Sequence, residues 1–250
     1  MFKRGKKGQV ALFVIIAIII VAVALLLVYE FKPNFSQVFQ GKEDPIVQEV
    51  RAKIDSQVQK ATYDSLYLIG KQGGYIELPE NSLITDKQSI AYSLYFDKNN
   101  LPSLNNIQMQ ISNYIEKTLS FYFEDDHTFD NLEYSVKLNL NQTKVNTKIQ
   151  NKITNDVNLI TTISKNNKTI IIKKYLVEVP FNFEYVYNVA EEIVSRKLNN
   201  LPIDESFFQG KDVSVEVFPI DSSTTLYRLK YFDQVNQQDF IFNVVILKNG

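Results

Sequence analysis

The feature that most constrains this chain is the run Val10 to Val28, nineteen consecutive apolar residues. Lys3, Arg4, Lys6 and Lys7 lie before it, and Tyr29-Glu30-Phe31-Lys32-Pro33 follows it. At about 1.5 Å per helical residue such a run measures about 28 Å, close to the hydrocarbon thickness of a bilayer. A helix buried in a globular core would carry polar residues along one side. This run is apolar all round and rich in Ile and Val, a composition that lipid tolerates. The basic flank places the N-terminus in the cytoplasm by the positive-inside rule and puts Tyr29 at the outer interface as an aromatic anchor. A secretory signal has an apolar region of only about 7 to 15 residues followed by a small-x-small cleavage site. Here the one such triplet, Ala22-Val23-Ala24, lies inside the run. The sequence therefore predicts a retained single-pass anchor, with everything after Tyr29 outside the cell.

The predicted organisation is a basic cytoplasmic leader at 1–8, a membrane helix at 9–30, a stalk at 31–44 and an extracellular α+β domain at 45–250, with a candidate subdivision near 128–131. Gly8-Gln9 also fits a processing site of the prepilin type, in which the leader is removed and the apolar helix kept. In this respect the N-terminus resembles archaeal type IV pilin-like precursors. The bacterial pattern carries Glu at the fifth mature position, and counting from Gln9 this chain has Phe13 there. Pro33, Gly41 and Pro45 interrupt the connection that pilins make as one continuous helix, because Pro inside a helix costs about 3 kcal/mol.

Beyond the stalk, Asp44-Pro45 supplies an N-cap and first-turn pair, and Ile46, Val50, Ile54, Val58 and Ala61 then share one helical face as far as Ile69-Gly70. The stretch Gly70 to Pro79 stops that helix, with Gly73 and Gly74 free to take backbone angles that other residues avoid. Ile90 to Phe96 reads as a strand. Ser103 caps a second helix through Leu104, Ile107, Ile111, Ile115 and Leu119. From Leu132 the apolar period becomes two, in runs around Val136, Val145 and Val157. Asn166-Asn167 turns the chain, which predicts an antiparallel meander. A third helix is predicted over about 182–199, and strands around Val213, Leu226 and Phe240. The fold class is α+β, with amphipathic helices packed on antiparallel sheet.

Three stretches, Lys7-Gly8-Gln9-Val10, Gly70-Lys71-Gln72-Gly73-Gly74-Tyr75-Ile76 and the run from Leu101 to Leu119, resemble uncharacterised single-pass surface proteins of small-genome archaea. Such proteins often carry cysteine in the first external helix, whereas this chain has none. The resemblance implies a surface location and no particular activity.

Without cysteine there is no disulfide, thiolate nucleophile or Cys-ligated metal. The part beyond the leader carries a formal charge near −5, and phosphate binding needs concentrated positive charge, so nucleic acid is not an expected partner. His127 is the only histidine. No Gly-x-Ser-x-Gly elbow, Ser-x-x-Lys dyad, phosphate-cradling loop or His-Glu-x-x-His motif occurs, and no cofactor is expected. Asp125, Asp126 and Asp130 are weak candidates for a hard cation, since their spacing follows no known oxygen-ligand loop. Asn141 and Asn167 stand in Asn-x-Thr triplets on the external side and are candidate glycosylation sites. Of the 31 Phe and Tyr residues, Tyr92 to Phe96 and Phe121 to Phe123 are denser than one buried face needs, which predicts exposed rings and an interaction surface. The functional reading is a non-catalytic, membrane-anchored surface protein whose partners are the bilayer and other surface proteins or copies of itself. Two alternatives stand beside it: a filament subunit processed at Gly8-Gln9, and an external hydrolase using paired carboxylates.

Overall fold

Asp44 and Pro45 begin the first helix in the predicted way: the Asp44 carboxylate accepts the Ile46 amide at 3.0 Å. This helix, α1 (Pro45–Lys71), runs 27 residues, and Val50, Ile54, Val58 and Ala61 are wholly buried along it. The computed structural model describes residues 44–86, 88–125, 128–130 and 132–248. The leader, the apolar run from Val10 to Val28 with Tyr29, the residues Lys3, Arg4, Lys6, Lys7, Gly8 and Gln9, and the stalk up to residue 43 lie outside those residues, as do Asp126 and His127. Among the described residues no helix is long and apolar enough to cross a membrane.

After α1 come β1 (Ser82–Ile84), β2 (Ser89–Tyr95), β3 (Lys98–Asn99) and α2 (Leu104–Asp125). Then follow β4 (Ser135–Leu138), β5 (Lys144–Ile149), β6 (Ile153–Lys165), β7 (Lys168–Val179) and α3 (Phe183–Leu198). The chain closes with the single turn α4 (Glu205–Phe208), β8 (Ser214–Pro219), β9 (Thr224–Asp233) and β10 (Gln238–Leu247). The α+β class is as predicted, and residues from Glu49 onward form one compact unit.

The strands make two sheets. In the first the order is β1-β2-β10-β9-β8, with β10 parallel to β2 and the other neighbours antiparallel. The second corrects the predicted meander. Strand β6 pairs with β7 along nearly its whole length, and on its other side β5 and β4 lie end to end, β5 against Ile153–Asn158 and β4 against Thr161–Ser164. The cause is a 3₁₀ turn at Leu140–Gln142, which ends the run around Val136 and carries the chain along the β6 edge.

Helix α2 corrects a second expectation. The sequence marks this helix only as far as Leu119, yet it runs to Asp125. Ile107, Ile111, Ile115, Leu119 and Phe123 repeat every fourth residue and all are buried, so core packing carries the helix past Leu119. In α3, Asn182 caps the first turn by accepting the Tyr185 amide at 3.2 Å. Phe183 rests 6.0 Å, ring to ring, from both Phe240 and Phe242. Each fully buried aromatic or aliphatic side chain of this kind stabilises the fold by about 1.5–3 kcal/mol. Leu198, the last residue of α3, is 37% exposed because the helix ends there.

Candidate interaction surfaces

Helix side chains meet β5 on one outer edge of the second sheet and β7 on the other. The amides of Ile149, Thr147 and Val145 on β5 donate to Gln108, Ser112 and Glu116 of α2 at 2.8, 3.0 and 2.8 Å. The match follows from geometry: four helical residues rise about 6 Å, and two strand residues advance about 6.8 Å. On the opposite edge, Arg51 and Gln59 of α1 donate to the carbonyls of Lys174 and Glu178 on β7, each at 3.1 Å. A buried chain of hydrogen bonds, Ser112 to Thr147 (3.0 Å), Thr147 to Asn155 (2.8 Å) and Asn155 to Thr62 (3.0 Å), ties the two helices together through this sheet.

The first sheet is built around the glycine corner that the sequence singles out. The end of α1 enters where β2 stops pairing with β10. A Cβ on Gly70 would lie 2.1 Å from the Ile241 carbonyl oxygen, so no side chain fits there. Gly74 (φ +100) packs against Pro102 in a conformation that only glycine takes readily. Asn243 donates to the Lys71 carbonyl at 2.9 Å, satisfying one acceptor at the helix end.

Helix α3 covers the face of this sheet that carries Phe240 and Phe242. On the opposite face the register aligns Phe218, Leu226, Val245 and Tyr92 across four strands. Ile90, Leu226 and Val245 form a small buried cluster with Leu83 and Tyr92 packed on it. Beside that row the rings of Tyr92 and Tyr95 lie 5.4 Å apart and those of Tyr95 and Phe96 4.7 Å apart. Phe96 is exposed and sits at φ +55, a left-handed conformation that costs a bulky side chain about 1 kcal/mol or more. Burial raises the Tyr92 hydroxyl above its ordinary value, and the nearby Asp221 carboxylate adds to the effect. Asp221 itself is held below the usual carboxylate range by hydrogen bonds from Ser223 and Thr224. The middle of this face is a polar lattice. Glu216 pairs with Arg228 and Lys230, and Arg228 reaches Asn243 at 3.4 Å. The predicted aromatic stretch at 92–96 is therefore a half-exposed rim, and Glu216, Arg228 and Lys230 on the same face are partnered with one another.

The second predicted aromatic stretch divides between surface and core. Phe121 is 62% exposed, whereas Phe123 is buried and stacks on Phe129 at 5.7 Å. Tyr122 donates to Asp64 at 2.7 Å. Its hydroxyl is pushed far above the ordinary tyrosine value, first by burial and then by its bonds to Tyr114 and Asp64. The proton therefore stays on Tyr122, and the bond acts as a clamp between α2 and α1.

Of the candidate cation ligands, Asp130 is exposed and Asp126 lies outside the described residues. No group of three or more His, Cys, Asp or Glu side chains able to hold a metal occurs among the described residues. Asn141 is exposed in the 3₁₀ turn and Asn167 is exposed in the β6–β7 turn. Among the described residues, pockets open at Glu77/Tyr114, Phe181/Asp233, Met109/Thr147 and Tyr75/Ser103, and none of these is lined by two carboxylates.

Sequence reasoning missed a segregation of charge. Residues 135–179, all of the second sheet, hold eight Lys against Asp156 and Glu178 alone, whereas 44–134 and 180–248 together hold 13 Lys and Arg against 24 Asp and Glu. Summing charge over the whole external part hides this contrast, and summing it by predicted element exposes it. No protein-family model, curated protein or solved structure matches this chain.

Proposed function

We propose that the chain is a non-catalytic, single-pass membrane protein that presents its α+β domain outside the cell for contact with other surface proteins. The apolar run from Val10 to Val28 with its basic flank supports the anchor. Phe96 is the observation that carries the contact site. The two-residue turn between β2 and β3 puts its first residue, Phe96, at φ +55, and an exposed Phe there, where Gly, Asn or Asp fits better, works against stability and supports a role in contact. The strongest polar constellations, Ser112–Thr147–Asn155–Thr62 and Tyr122–Asp64, join elements of the fold to one another. The anchor is tested by washing membranes of expressing cells at high pH. The chain is expected to stay in the pellet until detergent is added, and release by the wash alone would refute anchoring.

The filament reading is favoured by one observation, the Gly8-Gln9 pair. Packing apolar helices against one another would bring Lys3, Arg4, Lys6 and Lys7 into an apolar core unless the leader were removed, because uncompensated charge is costly there. Mass spectrometry of the native N-terminus separates the two readings. A chain that keeps Lys3 to Lys7 supports the simple anchor, and one that begins at Gln9 supports the filament.

A further inference from the structure

The outward face of the second sheet combines lysines with exposed aliphatic side chains. The alternation of β6 turns Ile153, Asn155, Val157, Leu159, Thr161 and Ile163 inward, where all are buried. On the other face the register lines up Lys144, Asn158 and Lys174 across β5, β6 and β7, and Lys137, Thr162 and Ile171 across β4, β6 and β7. Lys148 pairs with Thr154 at one end of the face. At strand spacings the lysine field is roughly 25 Å long and 10 Å wide. Between Asn158 and Thr161 the β6–β7 register slips, so that Lys173 and Lys174 are both exposed.

Among the lysines, Lys144 meets Glu116 and Lys174 meets Asp156, while Glu178 is taken by Lys152. Lys137, Lys148 and Lys173 make no ion pair among the described residues. Set among them, Ile160, Ile171 and Leu176 are 39%, 57% and 62% exposed. All the cations are Lys, whose flexible point charge suits mobile anions, and no Arg fork marks a shaped anion site. Aliphatic side chains among lysines on one exposed face match the boundary between lipid headgroups and acyl chains.

We propose that this face docks on an anionic lipid bilayer, the lysines meeting headgroup phosphates and Ile160, Ile171 and Leu176 entering the interface. The inference rests on the anchored reading, since an anchor at Val10 to Val28 holds the domain beside a bilayer. Docking would lay the second sheet on the membrane and leave the aromatic rim of the first sheet for protein contact.

The chain has no cysteine, so one introduced thiol labels one place. Full-length Ile171→Cys, carrying an environment-sensitive fluorophore, is reconstituted into vesicles of phosphatidylcholine or of an equimolar mixture with phosphatidylglycerol. Met109→Cys, at an exposed position on α2, serves as the control. The expected result is a blue shift at position 171, with quenching by brominated lipid, in the anionic vesicles alone. High salt reverses it, and Met109→Cys shows none. At about 1 kcal/mol per lysine near an anionic surface, replacing Lys137, Lys148 and Lys173 by Gln lowers the docked-to-free ratio roughly a hundredfold. An unshifted label, an equal shift in neutral vesicles or at position 109, or a shift that grows with protein density, as contact between copies would give, each overturns the proposal. Flotation with neutral vesicles in high salt reads the anchor by itself. Loss of flotation refutes anchoring, whereas an unshifted label on a floating chain refutes only the docking face.

Discussion

The two sheets handle their exposed backbone in opposite ways. In the second sheet, helix side chains meet both outer edges: Gln108, Ser112 and Glu116 take the β5 amides, and Arg51 and Gln59 reach the β7 carbonyls. Unpaired strand edges invite pairing with other chains, and these bonds guard β5 and β7 against it. The first sheet ends in β8, which no described strand pairs on its outer side, and in the three-residue β1. It keeps a strained, exposed Phe96 beside Tyr92 and Tyr95. The second sheet thus has its β5 and β7 edges occupied and carries an excess of lysine, while the first offers aromatic surface and an outer strand, β8, with no described strand beside it.

The largest effect should come from the corner that seats the first sheet on α1. Gly70→Ala places a methyl against the Ile241 carbonyl oxygen, and a backbone neighbour cannot yield cheaply. A loss of about 4 kcal/mol or more, or failure to fold, is expected in urea unfolding. An Ala variant of wild-type stability would show that the corner does not hold the sheet.

The second sheet should break at its buried polar chain. Asn155→Ala leaves Thr147 and Thr62 short of a partner in a fully buried site. It should cost about 2–4 kcal/mol. In a double-mutant cycle with Thr62→Val the two losses should not add, and additivity would mean that the chain does not act as a unit.

Alkaline titration sharpens the contrast further. Burial, and then the neighbouring Glu191, raise the hydroxyl of Tyr187 on α3 from 10.0 to about 12. Folding therefore favours the protonated form. This contribution is complete below pH 10 and is lost as pH rises from 10 through about 12. Unfolding midpoints should fall over that window, and Tyr187→Phe should flatten the fall. An unchanged pH dependence in the variant would remove Tyr187 as its source.

Much of this was legible in the sequence because local signals and core packing agreed. Asp44 and Ser103 cap helices where their positions predict, accepting the amides of Ile46 and Asn106, and Asn182, the start of the predicted third helix, caps α3 by accepting the Tyr185 amide. The alternation from Val157 to Ile163 marks β6, and Asn166, at φ +52, turns the hairpin. The parallel pairing of β2 with β10 was not legible, because partners about 150 residues apart leave no local pattern. Nor was the placement of β4 and β5 along one edge of β6, which a short turn decides. At the candidate surface, the density of rings from Tyr92 to Phe96 was visible in the sequence, but the strain at Phe96 is a property of the backbone alone.

The smallest change in stability is expected at that residue. Phe96→Asn puts at φ +55 a residue that tolerates it. The lost ring contact with Tyr95 roughly offsets the relieved strain, so stability should change by less than about 1 kcal/mol in either direction. Binding to a surface partner should weaken nonetheless. Destabilisation by several kcal/mol would show that Phe96 serves the fold rather than contact.

The central claim is that residues 45–250 stand outside the cell on a retained anchor, and protease added to intact cells tests it most directly. The expected result is removal of the α+β domain alongside a known surface marker, leaving a short membrane-bound fragment that contains Val10 to Val28. Full-length protein that survives while the marker is clipped, and is cut only after the cells are broken, would contradict the claim.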